Sequence, residues 1–131
     1  MRYALDTDTI AYFLRGEGRV AERLLAQKPS AVAVPAIVVY EIEYGLARAD
    51  ANPARRAAAA ALLAPLRILP FDEAAAREAG RLRARLEAAG RPVGPADLMI
   101  AATVRAHGCT LVTRNVAEFA RIEGLAVENW Y

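Results

Sequence analysis

Acidic side chains stand beside apolar segments at three separated points of the sequence. Asp6 follows the apolar residues 3–5, Glu41 lies within an apolar stretch, and Asp97 precedes the largely apolar residues 98–104. Carboxylate oxygens are the ligands that hard divalent cations such as Mg²⁺ prefer, and clustered carboxylates repel one another until a cation or a proton intervenes. If the fold brings these acids together, they can hold a metal ion.

Two of these acids also have a purely structural explanation. Asp6 or its neighbour Asp8 can cap a helix that follows a strand, and Asp97 can stabilise a helix N-terminus through the helix dipole. The segment 6–9 nevertheless contains two aspartates and two threonines directly after an apolar strand. This composition favours a hard-cation site over a plain cap.

Glu41 lies among apolar neighbours that predict a largely buried helix, where a charge needs a partner. Glu43 is two residues further on and points to a different side of that helix, so one of the two glutamates is expected to be solvated. The residues alone leave open which of them faces a site. Gly45, on the same helix, is expected to permit close packing against a neighbouring element.

Asn115 and Glu118 are three residues apart, shortly after the apolar residues 110–112. This spacing is typical of a capping box, in which Asn115 caps a helix and Glu118 turns back towards the backbone. The alternative is that Asn115 contacts a metal ion and Glu118 lends it a carboxylate.

The residue inventory excludes several other kinds of site. The 131 residues include one cysteine and one histidine, which rules out an internal disulfide and a Cys/His zinc site. Ser30, the only serine, lies far in sequence from His107, which argues against a serine hydrolase. The net charge of +2 is compatible with a nucleic-acid partner but falls short of the basic excess of proteins that bind by charge alone.

The sequence predicts strands that alternate with helices in one domain, residues 1–131. Five short strands are expected at 3–5, 31–34, 67–69, 110–112 and 125–127, and helices at 7–14, 19–26, 35–48, 53–65, 73–89 and 95–107. This alternation predicts an α/β fold with a central, mostly parallel sheet flanked by helices. In such sheets the site lies beyond the carboxyl ends of the strands, where the three acids and residues 113–115 can face one crevice.

The acid-bearing segments together resemble the PIN-domain family, and most closely its VapC-type toxin members. The segments are residues 5–7, Glu41-Ile42 with Gly45, residues 96–102, and residues 111–115 leading to Glu118-Phe119 and to the closing segments 124–125 and 128–130. They occur in order from the beginning of the chain to its end, so the resemblance covers essentially all of it.

The resemblance implies a compact PIN-like fold and an endoribonuclease that needs Mg²⁺ or Mn²⁺ and acts as the toxin of a toxin–antitoxin pair. It implies metal ligation by the acids that match Asp6, Glu41 and Asp97, with Asn115 in the catalytic set. The candidate supporting residues are Thr7, Asp8, Thr113 and Glu118. Many family members have an aspartate in place of Asn115, so we expect one firmly held metal ion here and a second that binds weakly.

The resemblance also implies an RNA substrate, single-stranded or looped, a cognate antitoxin, and a second copy of the chain in a homodimer. Tyr12, Phe13 and Leu24 are expected to line a groove that receives an antitoxin helix. Residues 2–6 turn polar too early for a signal peptide, and the longest apolar run, 57–64, is too short to span a membrane. We therefore expect a cytoplasmic protein without a membrane partner.

Two other interpretations stay open at this point. Asp6 and Asp8 also match the first motif of the aspartyl-nucleophile phosphatases, but those enzymes need a later lysine, and Lys28, the sole lysine, comes too early. A PIN-like domain can also keep its acids as a structural metal site or as a binding surface without catalysis.

Overall fold

The computed structural model describes residues 2–131, in which five short strands and seven α-helices alternate. The strands are β1 (Tyr3–Leu5), β2 (Val32–Pro35), β3 (Arg67–Leu69), β4 (Thr110–Val112) and β5 (Val127–Glu128). The helices are α1 (Thr7–Arg15), α2 (Val20–Leu25), α3 (Ala36–Arg48), α4 (Pro53–Leu63), α5 (Glu73–Ala88), α6 (Pro95–Ala106) and α7 (Val116–Phe119), with a short 3-10 helix at Pro29–Ala31. None of the helices in residues 2–131 has both the length and the apolarity needed to cross a lipid bilayer.

All five strands are parallel and lie in the order β3-β2-β1-β4-β5. β1 is the central strand of the sheet. β2 and β3 lie on one side of it, and after β3 the chain crosses over to β4 and β5 on the other side. The carboxyl ends of β1 and β4 therefore meet where the strand order reverses, and ligands bind in the crevice at such a point. The predicted α/β fold with a parallel sheet flanked by helices is confirmed.

The core fixes the helix that carries Asp97. β1 and β2 consist of buried residues only, as expected for strands covered on both faces. α6 packs deeply, with six buried residues between Leu98 and Val104, and lies against α5. Since these side chains are held in the core, the first turn of α6, which contains Asp97, has a defined position.

The prediction for the last strand is wrong in its bounds. β5 is Val127–Glu128 rather than 125–127, because Leu125 is turned into the core and its N–H donates to the Ile122 carbonyl at 3.4 Å. The chain begins to pair with β4 only after this turn is complete.

The prediction that α3 is largely buried is also wrong. Of the residues of α3, all of which the structure describes, only Val38 is buried, and Tyr40 and Tyr44 are 64% and 57% exposed. Only one face of α3 covers the sheet. An apolar composition does not by itself show how many faces of a helix are covered.

Candidate functional site

Asp6 lies between the carboxyl ends of β1 and β4 and is the N-cap of α1. Its N–H donates to the Val112 carbonyl at 3.1 Å, and its side chain accepts a hydrogen bond from the Thr9 N–H at 2.8 Å. The hydroxyl of Thr113, the residue after β4, also hydrogen-bonds to the carboxylate. Burial raises the pKa of Asp6, and the hydrogen bonds lower it only in part. Asp6 therefore caps a helix and stands in the crevice at the same time.

Glu41 lies on α3 and reaches the start of α1. The hydroxyl of Thr7 donates a hydrogen bond to Oε1 of Glu41, which joins the helices that follow β1 and β2 beside Asp6. Glu43 lies on the exposed side of α3 and forms an ion pair with Arg56 at 3.1 Å. Glu41, and not Glu43, is the glutamate at the crevice.

Asp97 is a half-buried residue in the first turn of α6. Burial, a hydrogen bond to Glu118, and the negative charges of Glu118, Glu41 and Asp6 raise the pKa of Asp97 to about 7. Acids from the starts of α1 and α6, from α3 and from α7 therefore interact at one end of the sheet.

Asp8 does not join this group of acids. Its side chain is exposed on α1, and its charge is the smallest of the causes that shift the pKa of Asp6. The phosphatase motif requires both aspartates in the site. The position of Asp8 therefore gives that interpretation no support.

The capping box predicted at Asn115 and Glu118 does not form. The Asn115 side chain caps no backbone N–H of α7, and its Nδ2 instead donates to Oε2 of Glu118 at 2.7 Å. The Asn115 N–H donates to the hydroxyl of Thr113 at 3.0 Å. Glu118 is thereby directed to Asp97, and its only signal in the sequence is its spacing from Asn115.

The oxygen donors at this place have the chemistry of a Mg²⁺ or Mn²⁺ site. Asp6, Glu41 and Asp97 supply carboxylates, which suit hard divalent cations. Within residues 2–131, however, no three Asp, Glu, His or Cys side chains lie close enough together to hold one ion. Asp6 and Glu41 accept hydrogen bonds from Thr9 and Thr7, and each carboxylate keeps further lone pairs with which to bind a cation. The three acids are a suitable donor set rather than a closed coordination shell.

The metal-free protein should become less stable as the pH rises through neutrality. Asp97 has a pKa of about 7 in the folded chain against an ordinary value of 3.8. Protonated Asp97 therefore contributes folding stability that is fully present below pH 3.8 and is lost as the pH rises through about 7. The pKa of Asp6 is shifted in the same direction. Thermal unfolding in EDTA at about pH 5 and about pH 8 should show a larger decrease in Tm for the unmodified chain than for Asp97→Asn. Equal decreases would contradict this interaction among the acids.

Comparison with known sequences agrees with the geometry. A family model described as the PIN domain matches residues 3–125. The tRNA(fMet)-specific endonuclease VapC of Salmonella typhimurium is 31% identical over 130 residues, which cover 99% of this chain and 98% of that protein. Ribonuclease VapC2 of Rickettsia felis is 33% identical over 132 residues, which cover 99% and 98% of the two chains.

Comparison of the folds gives the same result. A chain of the DNA-bound VapBC complex from Salmonella typhimurium matches with a TM-score of 0.92 and 32% sequence identity, over 100% of this chain and 99% of that one. The chain therefore belongs to the PIN-domain family. Within this family it groups with the VapC ribonucleases, the toxins of toxin–antitoxin pairs, as the acid-bearing segments predict.

Proposed function

We propose that the chain cleaves single-stranded or loop RNA with a Mg²⁺ or Mn²⁺ ion held by Asp6, Glu41 and Asp97. The observation that carries this proposal is the group of acids at the carboxyl ends of β1 and β4, where three other carboxyl groups help to raise the pKa of Asp97 to about 7. The general dependence of PIN-domain nucleases on divalent metals supports the cofactor. Metal-dependent cutting of RNA by the purified chain tests the proposal.

The side chains of the site have separate tasks in this reaction. A bound divalent ion supplies Lewis-acid chemistry, because it polarises a phosphoryl oxygen and makes a bound water more acidic. Thr9 and Thr113 orient the carboxylate of Asp6, and Thr7 orients that of Glu41. Asp97, in the first turn of α6, would bind the ion as an ionised carboxylate, a form that the cation favours.

The crevice favours an unpaired strand as the substrate. Asp6 and Asp97 lie at the starts of α1 and α6, beyond the carboxyl ends of the central strands. A flexible loop can bring one phosphate to such a place, whereas a paired A-form stem holds its phosphates in a rigid array.

Asn115 contributes an amide in place of a charged ligand. Its side chain donates to Glu118 at 2.7 Å and thereby holds that acid near Asp97. A neutral amide adds no negative charge with which to recruit a second cation. We therefore keep the single firmly held ion as part of the proposal, with a second ion bound weakly.

We also propose an antitoxin partner, since the similar VapBC proteins are toxin–antitoxin systems. An apolar cleft of about 480 Å³ lies between α1, α2 and α4 and is lined in part by Phe13 and Leu24. Tyr12 does not line it, because its ring packs against Tyr131 with the centroids 4.8 Å apart. The cleft is the proposed docking site for the antitoxin.

Ala61→Glu should weaken antitoxin binding at least about thirtyfold, because it places a charge in the apolar lining of the proposed docking cleft. Ala60→Glu is the matched control, since Ala60 is the exposed neighbour of Ala61 on α4 and does not line the cleft. Calorimetric titration with the small protein encoded by the neighbouring gene measures both affinities. The docking site is wrong if the two variants bind equally well.

A homodimer is proposed because the resemblance to the VapC-type toxins implies one. Tyr40 and Tyr44 lie one turn apart on α3, and both are largely exposed. Aromatic side chains of this kind are enriched in protein interfaces, so this face of α3 is a suitable contact surface for a second copy.

A further inference from the structure

A second cleft opens directly beside the acids. It has a volume of about 290 Å³, and Thr7 and Glu41 belong to its lining together with residues of α1, α3 and α4. The cleft is therefore continuous with the crevice that contains Asp6. Of the three proposed metal ligands, only Glu41 lines this cleft. The reacting phosphate would lie beside all three ligands, so the cleft is available to a neighbouring part of the substrate.

The lining of this cleft combines an apolar floor with two positive charges. The apolar residues are Ala11, Leu14, Ile42, Leu46 and Ala58, and the charges are the guanidinium groups of Arg15 and Arg55. This combination differs from the docking cleft for the antitoxin, whose lining contains no arginine. A ligand that fits here has an anionic group and an apolar face.

Gly45 leaves space in the floor of the cleft. The residue lies inside α3, where glycine is less favourable than alanine. A Cβ built on Gly45 would meet no atom within 4 Å, so the close packing predicted for this glycine is wrong. The space in front of Gly45 belongs to the cleft, and a larger side chain there would occupy the room for a ligand.

The two arginines are available to an incoming anion. Arg15 pairs with Glu17 at 3.3 Å, but the side chains are 57% and 42% exposed, and such a pair is weak enough for another anion to displace Glu17. The side chain of Arg55 forms no ion pair with any residue from 2 to 131. Its neighbour Arg56 pairs with Glu43 at 3.1 Å and does not line the cleft.

We propose that this cleft binds the RNA nucleotide next to the cut phosphate, with Arg15 and Arg55 on its phosphate group and its ribose and base over the apolar floor. The inference rests on the proposed cleavage of RNA. Guanidinium groups bind phosphate oxygens through paired hydrogen bonds, and they offset the repulsion between an RNA strand and Glu41. A nucleotide has the required combination of one anionic group and one flat, largely apolar face.

The test measures RNA binding without cleavage. A fluorescent single-stranded RNA decamer is titrated with the purified chain in EDTA, and anisotropy gives the Kd at several salt concentrations. Arg55→Gln should weaken binding about tenfold and make the dependence of log Kd on log salt shallower by roughly 0.7. Arg56→Gln is the matched control and should bind as the unmodified chain does. Glu17→Gln should strengthen binding, because it frees Arg15.

A second pair of variants tests the space in the cleft. Gly45→Leu should weaken binding because the leucine fills the floor, and the helix itself should gain stability. Gly80→Leu is the control, since Gly80 is also inside a helix, has no atom within 4 Å of its Cβ position, and lies outside this cleft.

Each result decides between the subsite and the activity. Equal RNA affinities of Arg55→Gln and Arg56→Gln, or no RNA binding by the unmodified chain, would overturn the subsite. If Arg55→Gln loses antitoxin binding but binds RNA as the unmodified chain does, the subsite is also overturned, because the cleft would then belong to the protein partner. If RNA is cut with Mg²⁺ but Arg55→Gln binds RNA as tightly as the unmodified chain does, the subsite is wrong and the proposed function stands. If binding depends on Arg55 but no RNA is cut, the proposed cleavage fails, and the cleft stands only as an RNA-binding site.

Discussion

Asp97→Asn should reduce the rate of RNA cleavage roughly a hundred- to a thousandfold, the loss expected when a charged group of a preorganised site is removed. Asparagine has the size of aspartate but lacks its negative charge. It has no ionisable carboxyl group, so the repulsion from Glu118, Glu41 and Asp6 that helps to raise the pKa of Asp97 to about 7 is removed. Gel analysis of a labelled RNA at saturating Mg²⁺ measures the rate.

The same substitution should leave the fold intact and stabilise the metal-free protein above neutral pH, because it removes repulsion among the acids. Asp6→Asn should lose activity in the same way, and α1 should keep its start because asparagine is also a good N-cap. Circular dichroism at about pH 5 and about pH 8 serves as the control for folding. Cleavage or growth arrest that survives either substitution would contradict the assignment of these acids.

Glu41→Gln should abolish most of the activity, whereas Glu43→Gln should change it little. The two glutamates lie on the same helix, but Glu41 accepts the hydrogen bond of Thr7 at the crevice and Glu43 pairs with Arg56 on the exposed side. Removal of the exposed ion pair should cost at most about 1 kcal/mol of stability. A loss of about a hundredfold in kcat for Glu41→Gln alone is the expected result.

The comparison of these two variants also tests the orientation of α3. If Glu43→Gln proves the more damaging substitution, the helix presents its other side to the substrate and Glu41 is not a metal ligand. Thermal unfolding of both variants shows whether a loss of activity reflects the site or the fold.

Elements that depend on local sequence could be predicted well. β1, β3 and β4 have the predicted bounds. β1 is a short apolar segment with every residue buried, as a strand covered on both faces should be, whereas β3 is an edge strand in which only Leu69 is buried. α5 begins at Glu73 as predicted, because the side chain of Asp72 caps it by accepting the Ala75 N–H at 3.0 Å. The bounds of β5 depend on how Leu125 packs into the core, which the local pattern does not show.

The site could be predicted only in part, because long-range contacts decide which side chains meet. Asp6 and Thr113 follow neighbouring parallel strands, so the rule that sites lie at the carboxyl ends of strands brings them together. The interaction of Glu118 with Asp97 overrides the local capping pattern at Asn115. The open space at Gly45 likewise depends on elements distant in sequence.

Cleavage of an end-labelled RNA hairpin by the purified chain, followed with Mg²⁺, with EDTA, and with Mn²⁺ added back after EDTA, tests the central claim most directly. We expect cuts in the single-stranded loop that need a divalent ion, disappear with EDTA and return with Mn²⁺. Asp97→Asn should cut at least about a hundredfold more slowly with either ion. Cleavage that continues in EDTA would contradict the metal-dependent mechanism, and an intact hairpin under every condition would show that the acids serve a binding module without catalysis.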